Sequence, residues 1–363
     1  MFKLHRIALI LALALLSVSL VPLLLARSVA AENTAVQQAA AAGDRVYTAN
    51  EDSNTISVIN PATLSVESTI VLGEETHHRP LYNGHIDVHG LLASPDGRWL
   101  AATARGSSTA VLVDRAAQAV RGYALVGREP HVGTFTPDGR ELWVTVRGER
   151  FVAVVNPETL EVTERIPTVS GPSMVWFTRD LGPGGDAFLS RQLAFVGSQK
   201  EPRLQVFNAS SRSLLKTLAM PGAFSPFLIA SPEGDEVWIT HKTTDNVSVI
   251  DVRTLEIRHT FPVGRRPNHV AIVGDRAYVT IAMDNTVEVY RRAGSSLPQK
   301  IATIPMGTEP HGIWPNGDAS RLYVGHERSN DVWVLNTADH AIVGKVPVGK
   351  KPIDVVYVPT VEP

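Results

Sequence analysis

Val46-Tyr47-Thr48-Ala49-Asn50 decides the fold, because the chain writes the same phrase again and again. It returns as Leu142-Trp143-Val144-Thr145, Val237-Trp238-Ile239-Thr240, Ala277-Tyr278-Val279-Thr280 and Leu322-Tyr323-Val324-Gly325. Each copy is short and rich in β-branched and aromatic residues, as a half-buried strand should be. Upstream stand turn phrases, Ser94-Pro95-Asp96-Gly97, Thr136-Pro137-Asp138-Gly139 and Ser231-Pro232-Glu233-Gly234. Downstream comes another apolar run, Ile56-Ser57-Val58-Ile59-Asn60, Val247-Ser248-Val249-Ile250-Asp251 or Val332-Trp333-Val334-Leu335-Asn336. A closing Val-Gly follows at Val126-Gly127, Val263-Gly264 and Val348-Gly349. The period is about 40 residues, and each unit holds four short β-rich runs, which is one blade of a β-propeller.

Working outward, inner strands are expected to start near His89, His131, Ser173, Pro226, Asn268, Pro310 and Ile353. The last unit is a single strand. The run from Arg45 to Leu72 supplies its three missing partners, so the two ends of the chain close one blade together. The expected fold is all-β: a seven-bladed β-propeller of four-stranded blades over residues 45–363. Closure leaves no open sheet edge. The Pro-Asp-Gly phrases serve turn geometry. Trp99, Trp143, Trp238 and Trp333 are expected to pack between blades. A Gly- and Pro-rich insertion, residues 180–191, interrupts the fourth unit.

The first 31 residues read differently. Lys3, His5 and Arg6 precede an apolar run over residues 7–26, and Ser28-Val29-Ala30-Ala31 has the small residues of a cleavage site. This is a signal peptide, cleaved after Ala30 or Ala31, or an uncleaved N-terminal anchor. Either way a periplasmic or secreted location is expected. Residues 32–44 form an Ala/Gln-rich linker. The chain has no cysteine, which excludes disulfides, thiolate ligands and covalently attached c-type haem. Its formal charge is −2 with a pI near 6.6, so no basic field invites nucleic acid. A monomer is expected.

The repeated phrase resembles that of the YVTN-family propellers, which are WD40-like in architecture, and the resemblance covers nearly all of the chain after the linker. It implies the fold and is almost silent on function.

The histidines point to chemistry. Residues 75–90 contain His77, His78, His85 and His89, in and just after the link from the first blade to the second. His131, His269 and His311 follow inner-strand prolines or lie one residue further on. Inner strands line the channel. His269, His311, Asp354, His89 and His131 are therefore expected to run round one mouth on contiguous blades, with Met174 and Phe227 in the gap. Imidazole is a ligand for copper, zinc, iron and nickel. The candidate metal ligands are His77, His78, His89, His131, His269 and His311, with Asp354 as ligand or partner. His241 and His326, after second strands, are read as solvated loop residues. Arg79, Arg105, Arg147, Lys200 and Lys242 share that face. The first three are candidates for holding an anionic ligand or cofactor carboxylates.

Gly73-Glu74-Glu75-Thr76-His77-His78 is similar to a phrase of the copper-dependent selenium-binding/methanethiol oxidase propellers, although the cysteines that follow it there are absent. The propeller domain of nitrous oxide reductase also sets His-His and further histidines at a channel mouth, around a copper-sulfide cluster. These resemblances imply copper. Three readings follow. The first is an exported propeller holding a metal, copper first, for redox or Lewis-acid chemistry on a small molecule. The second is a non-enzymatic module binding a periplasmic protein, peptide or glycan. The third is a haem d1-like or lactonase-like propeller.

Overall fold

The computed structural model describes residues 43–73, 86–178 and 192–360. His77, His78, Arg79 and His85 lie outside these, as do the whole blade 4 insertion and the N-terminal segment before residue 43. Among the described residues every regular element is a strand, and the strands form seven antiparallel sheets of four. Blade 1 is the closing blade. Pro352–Val358 is its inner strand, followed outward by Arg45–Asn50, Thr55–Asn60 and Ser65–Val71. The inner strands of blades 2 to 7 are Val88–Ala93, Pro130–Phe135, Pro172–Phe177, Leu228–Ala230, Pro267–Val273 and Pro310–Pro315. The blade starts and the shared closing blade are those expected from the repeat.

Burial explains the repeated phrases. Second strands are almost wholly buried, because both faces meet neighbouring blades: Trp99–Ala104, Leu142–Val146 and Glu236–His241 are buried throughout. Outer strands turn one face to water and keep one inward apolar residue near their end, namely Ile70, Ala124, Ile166, Leu218, Phe261, Ile304 or Val346. Trp143 meets Phe177 of the next blade edge-on at 5.1 Å, as inter-blade packing requires.

The threonine of the repeated phrase has a further task. Thr103, Thr145, Thr240 and Thr280 donate across the blade boundary to the carbonyls of His131, Ser173, Asn268 and His311, at 2.6, 2.9, 2.8 and 2.7 Å. Each such buried bond is worth about 1 kcal/mol net. It also fixes the height at which the next inner strand enters the channel.

Closure is pinned at Asp44. Its carboxylate accepts from Tyr357 Oη, from Thr360 N at 2.7 Å and from Thr360 Oγ1 at 3.0 Å.

Candidate functional site

Every inner strand is launched from a left-handed residue: Lys351, Asp87, Glu129, Gly171, Phe224, Arg266 and Glu309, with φ of 51–70°. A β-bulge follows at once in the blades with a long inner strand. In blade 2, Val88 pairs Ala104 but Leu91 pairs Ala102, which leaves His89 and Gly90 out of the ladder. The same shift frees His131 and Val132, Ser173 and Met174, Asn268 and His269, and His311 and Gly312. Bulges re-aim side chains at the cost of ladder pairing. Here they free two residues in each of blades 2, 3, 4, 6 and 7 and Ile353 alone in blade 1, and the Pro-His spacing decides where a histidine falls.

Five ring residues expected from the sequence do gather at one mouth, on two levels. His89, His131 and His311 are the first freed residues of their blades. His269 is a second one, and Asp354 matches it: Thr48 bonds Asp354 O within its blade as Thr280 bonds His269 O. Gly312 and Gly90 take that level in the two blades after His269 and Asp354 in turn. A Cβ on Gly90 would lie 2.6 Å from His131 O, and one on Gly312 2.8 Å from Asp354 Cα, so only glycine permits this spacing. Met174 and Phe227 fill the remaining arc, and Phe227 stacks on His269 at 4.0 Å.

The upper level is the more informative. His89 and His131 meet Nε2 to Nε2 at 3.0 Å. His131 Nδ1 lies 2.6 Å from the Ser173 carbonyl, an acceptor only, so that nitrogen carries the proton. His89 Nδ1 lies 3.2 Å from Glu51 Oε2. Glu51 also accepts from Arg105 Nη2 and Lys351 Nζ, and His89 Nδ1 is placed to donate to it as well. These partners assign the tautomers. Both Nε2 atoms are then unprotonated, 3.0 Å apart. The Gln199 amide reaches His131 Nε2 at 2.8 Å, oriented by Arg147 on its oxygen, but nothing donates to His89 Nε2. A shared proton is disfavoured, because burial and then the Arg105 charge, with His89 itself acting on His131, hold both imidazoles well below their usual pKa.

Around this pair sit two more neutral imidazoles. Burial and the Lys242 charge bring His269 down to about 3, and burial holds His311 well below the usual imidazole range. His311 Nε2 stands 3.5 Å from Glu327 Oε1, and burial with Glu309 raises Glu327 to about 7. Asp354 is likewise raised to about 7 by burial, despite donors from Leu91 and Val355 N. Its Oδ1 is 3.9 Å from His269 Nδ1, so the two are neighbours and not an ion pair at neutral pH.

The imidazole ring centroids of His89 and His311 are 6.3 Å apart, and those of His269 and His311 are 4.7 Å apart. Among the described residues no three His, Asp or Glu side chains converge on one point that would hold a metal. The link that carries His77 and His78 leaves Gly73 and returns at Ile86, whose N–H binds Asn54 Oδ1, three residues before His89.

Arg105 is tied to Glu51 and Arg147 to Glu129, at 3.1 Å for the latter, so both help set the histidine face. His241 and His326, expected to be solvated, are completely buried. They end second strands and point between blades. His241 binds Ser225 and Ser248 hydroxyls, both at 2.9 Å, and His326 stands 3.0 Å from Asp331. Glu51 and Glu327 were not singled out from the sequence. A signal existed, since each directly follows a second strand, the place that Arg105, Arg147 and Lys242 occupy in their blades.

No known protein-family pattern matches the chain. It is 28% identical over 97 residues to "Uncharacterized protein YncE" of Salmonella typhi and of Salmonella typhimurium. That match spans 26% of this chain and 27% of the relatives, about a quarter of their length. Among solved structures, the fold is similar to a functionally unknown protein from Desulfotomaculum acetoxidans, with a TM-score of 0.71 at 13% identity over 87% of this chain and 99% of that one. It is similar to hydrazine synthase of Kuenenia stuttgartiensis, with a TM-score of 0.65 at 16% identity over 79% and 99%. It is also similar to the Cps50 (Swd1) β-propeller domain of Myceliophteria thermophila, with 0.60 at 9% over 74% and 89%. These identities speak for the fold alone. The chain is a seven-bladed β-propeller, and its partial match to YncE fits the YVTN-type propellers that its repeated phrases resemble.

Proposed function

We propose that this propeller is exported and binds a metal ion, copper before zinc, at the histidine mouth of its channel. One observation carries the reading: the Nε2 atoms of His89 and His131 lie 3.0 Å apart with both Nδ1 atoms already engaged, and only the Gln199 amide, at His131, reaches either Nε2. Metal-binding histidines are commonly oriented in this way, the far nitrogen donating to a carboxylate or a backbone carbonyl. Two nitrogens at about 2.0–2.1 Å from one ion stand roughly this far apart. Copper suits an all-nitrogen set without thiolates.

In this reading His89 and His131 are the fixed ligands. His77 and His78, outside the described residues, complete the set, and His311 and His269 are the nearest further imidazoles. Bound copper would supply one-electron redox or Lewis-acid chemistry. The chain's own part is to keep four imidazoles neutral, orient two of them, and offer Glu327 and Asp354 as carboxyl groups near their half-titration at neutral pH. Arg105 and Lys351 balance Glu51, and Arg79 and Arg147 are basic groups for an anionic substrate. The apolar run at residues 7–26 and the small residues after it support export.

The test is metal content after loading the purified chain with copper or zinc and gel filtration. One ion per chain, lost in His89→Ala and His131→Ala and in His77→Ala/His78→Ala, supports the reading. Absence of stoichiometric metal in the unmodified chain overturns it.

A further inference from the structure

The other end of the channel is a different place. The inner strands that begin in histidines end in apolar residues, and there they enclose a cavity of about 500 Å³. All seven blades contribute to its wall, including Leu92, Phe135, Trp176, Ile229, Ile272 and Trp314. No Asp, Glu, Lys, Arg or His lines it. The hydroxyls in the wall are spent internally: Ser94 on Asp96, Thr134 on the Val175 carbonyl, Ser231 on Asp235 and Tyr357 on Asp44.

Trp176 and Trp314 belong to blades 4 and 7, three blades apart in the ring, yet their ring centroids are 6.1 Å apart. Contact between such blades has to cross the axis. Trp314 also packs against three of the core clusters, which places it centrally. The indole pair therefore spans the axis within the cavity wall. These indoles differ from those between blades. Trp143, Trp238 and Trp333 each donate Nε1–H to a carboxylate two residues earlier, at 2.9, 3.0 and 2.9 Å. Among the described residues, Trp176 and Trp314 have no acceptor. Both are half-buried.

We propose that this cup is a second binding site, for a small uncharged molecule with an apolar, ring-sized body and a hydrogen-bond-accepting oxygen. Its volume and apolar aromatic wall are those of small-molecule sites, where a few polar groups set orientation. A charged ligand would be desolvated there with no counter-charge. An oxygen acceptor would take an indole N–H that otherwise has no partner, and the ring stacking of tryptophan would hold the body.

The probe is propionyl-dimethylaminonaphthalene, a neutral ketone whose emission shifts to the blue in apolar surroundings, titrated into the full chain. Saturable one-to-one binding with a blue shift is expected. Ile229→Arg should weaken it by about tenfold or more, because the guanidinium would sit in the apolar wall. Ala93→Glu, at the half-buried edge, is the second variant should Ile229→Arg fail to fold. Trp176→Phe and Trp314→Phe keep a ring and remove the donor. At least one of them should weaken the ketone by about fivefold or more while leaving unsubstituted naphthalene within about twofold. Absence of saturable binding overturns the proposal, as does equal binding by a folded Ile229→Arg or Ala93→Glu chain. Equal loss of ketone and naphthalene in the phenylalanine variants overturns the acceptor requirement.

Discussion

Replacing Gly90 with alanine should disturb fold and site together. A Cβ there would stand 2.6 Å from His131 O, 2.9 Å from Val132 Cα and 3.1 Å from Thr103 Oγ1. Comfortable contacts between such atoms are about 3.5 Å, so the inner strands of blades 2 and 3 must part by roughly half an ångström or more. Two of the three obstacles are backbone, which cannot rotate aside. Overpacking of this kind costs about 1–3 kcal/mol. The parting also stretches the Thr103–His131 bond and the 3.0 Å approach of His89 to His131. Gly317→Ala is the control, because its Cβ would meet Tyr357 Cε1 at an ordinary 3.6 Å. Chemical denaturation should show Gly90→Ala less stable by about 1–3 kcal/mol and Gly317→Ala within about 0.5 kcal/mol of the parent. Metal affinity should fall by about tenfold or more in Gly90→Ala alone, the range seen when ligand orientation is lost. If Gly90→Ala matches Gly317→Ala in stability, the close approach of neighbouring inner strands is wrong, and the histidine geometry built on it falls too.

Three other outcomes follow from the same geometry. His241 is buried neutral and its pKa is lowered to about 4, against 6.5 when unfolded. Between those values the unfolded chain binds a proton that the folded chain refuses, so stability is full above about 6.5 and falls as pH drops toward 4, by about 3 kcal/mol for this group. Stability against pH should therefore be less steep in that window for His241→Gln than for the parent, and parallel curves would contradict the assignment. Asp44→Ala removes the carboxylate that joins Tyr357 and Thr360 in the closing blade. It should cost about 1–3 kcal/mol, and limited proteolysis should first cut within blade 1. Trp238→Ala empties a fully buried inter-blade site and should cost about 3–5 kcal/mol, read by thermal unfolding with the fold retained in Trp238→Phe.

The fold was legible because a propeller repeats its grammar. Pro-Asp-Gly turns, the Tyr47 and Trp143 phrases and the Val-Gly closures each mark one place in a blade, and a single strand left over at Ile353 forces closure with Arg45–Asn50. The mouth to which His89, His131, His269, His311 and Asp354 belong was also legible, from their place at inner-strand starts. What escaped was finer than strand assignment. His269 is the second of two residues freed by a bulge and Asp354 follows the one residue freed in its blade, and no spacing rule in the sequence announces that shift of level. His241 and His326 read as loop because polar residues after a strand usually are. They are instead the last strand residues, buried between blades with hydroxyl or carboxylate partners. Glu51 looked like a turn residue after Asn50, and only the inter-blade geometry makes it the partner of His89. The apolar cup was invisible for a related reason. Trp176 and Trp314 are far apart in sequence and meet only across the axis of the closed ring.

The imidazole pair of His89 and His131 is tested most directly by anomalous diffraction at the copper edge from crystals of the copper-loaded chain. One strong peak is expected about 2.0–2.1 Å from both His89 Nε2 and His131 Nε2, with the Gln199 amide displaced from His131. A map with no peak in the channel, or with copper held only by other residues, would contradict it.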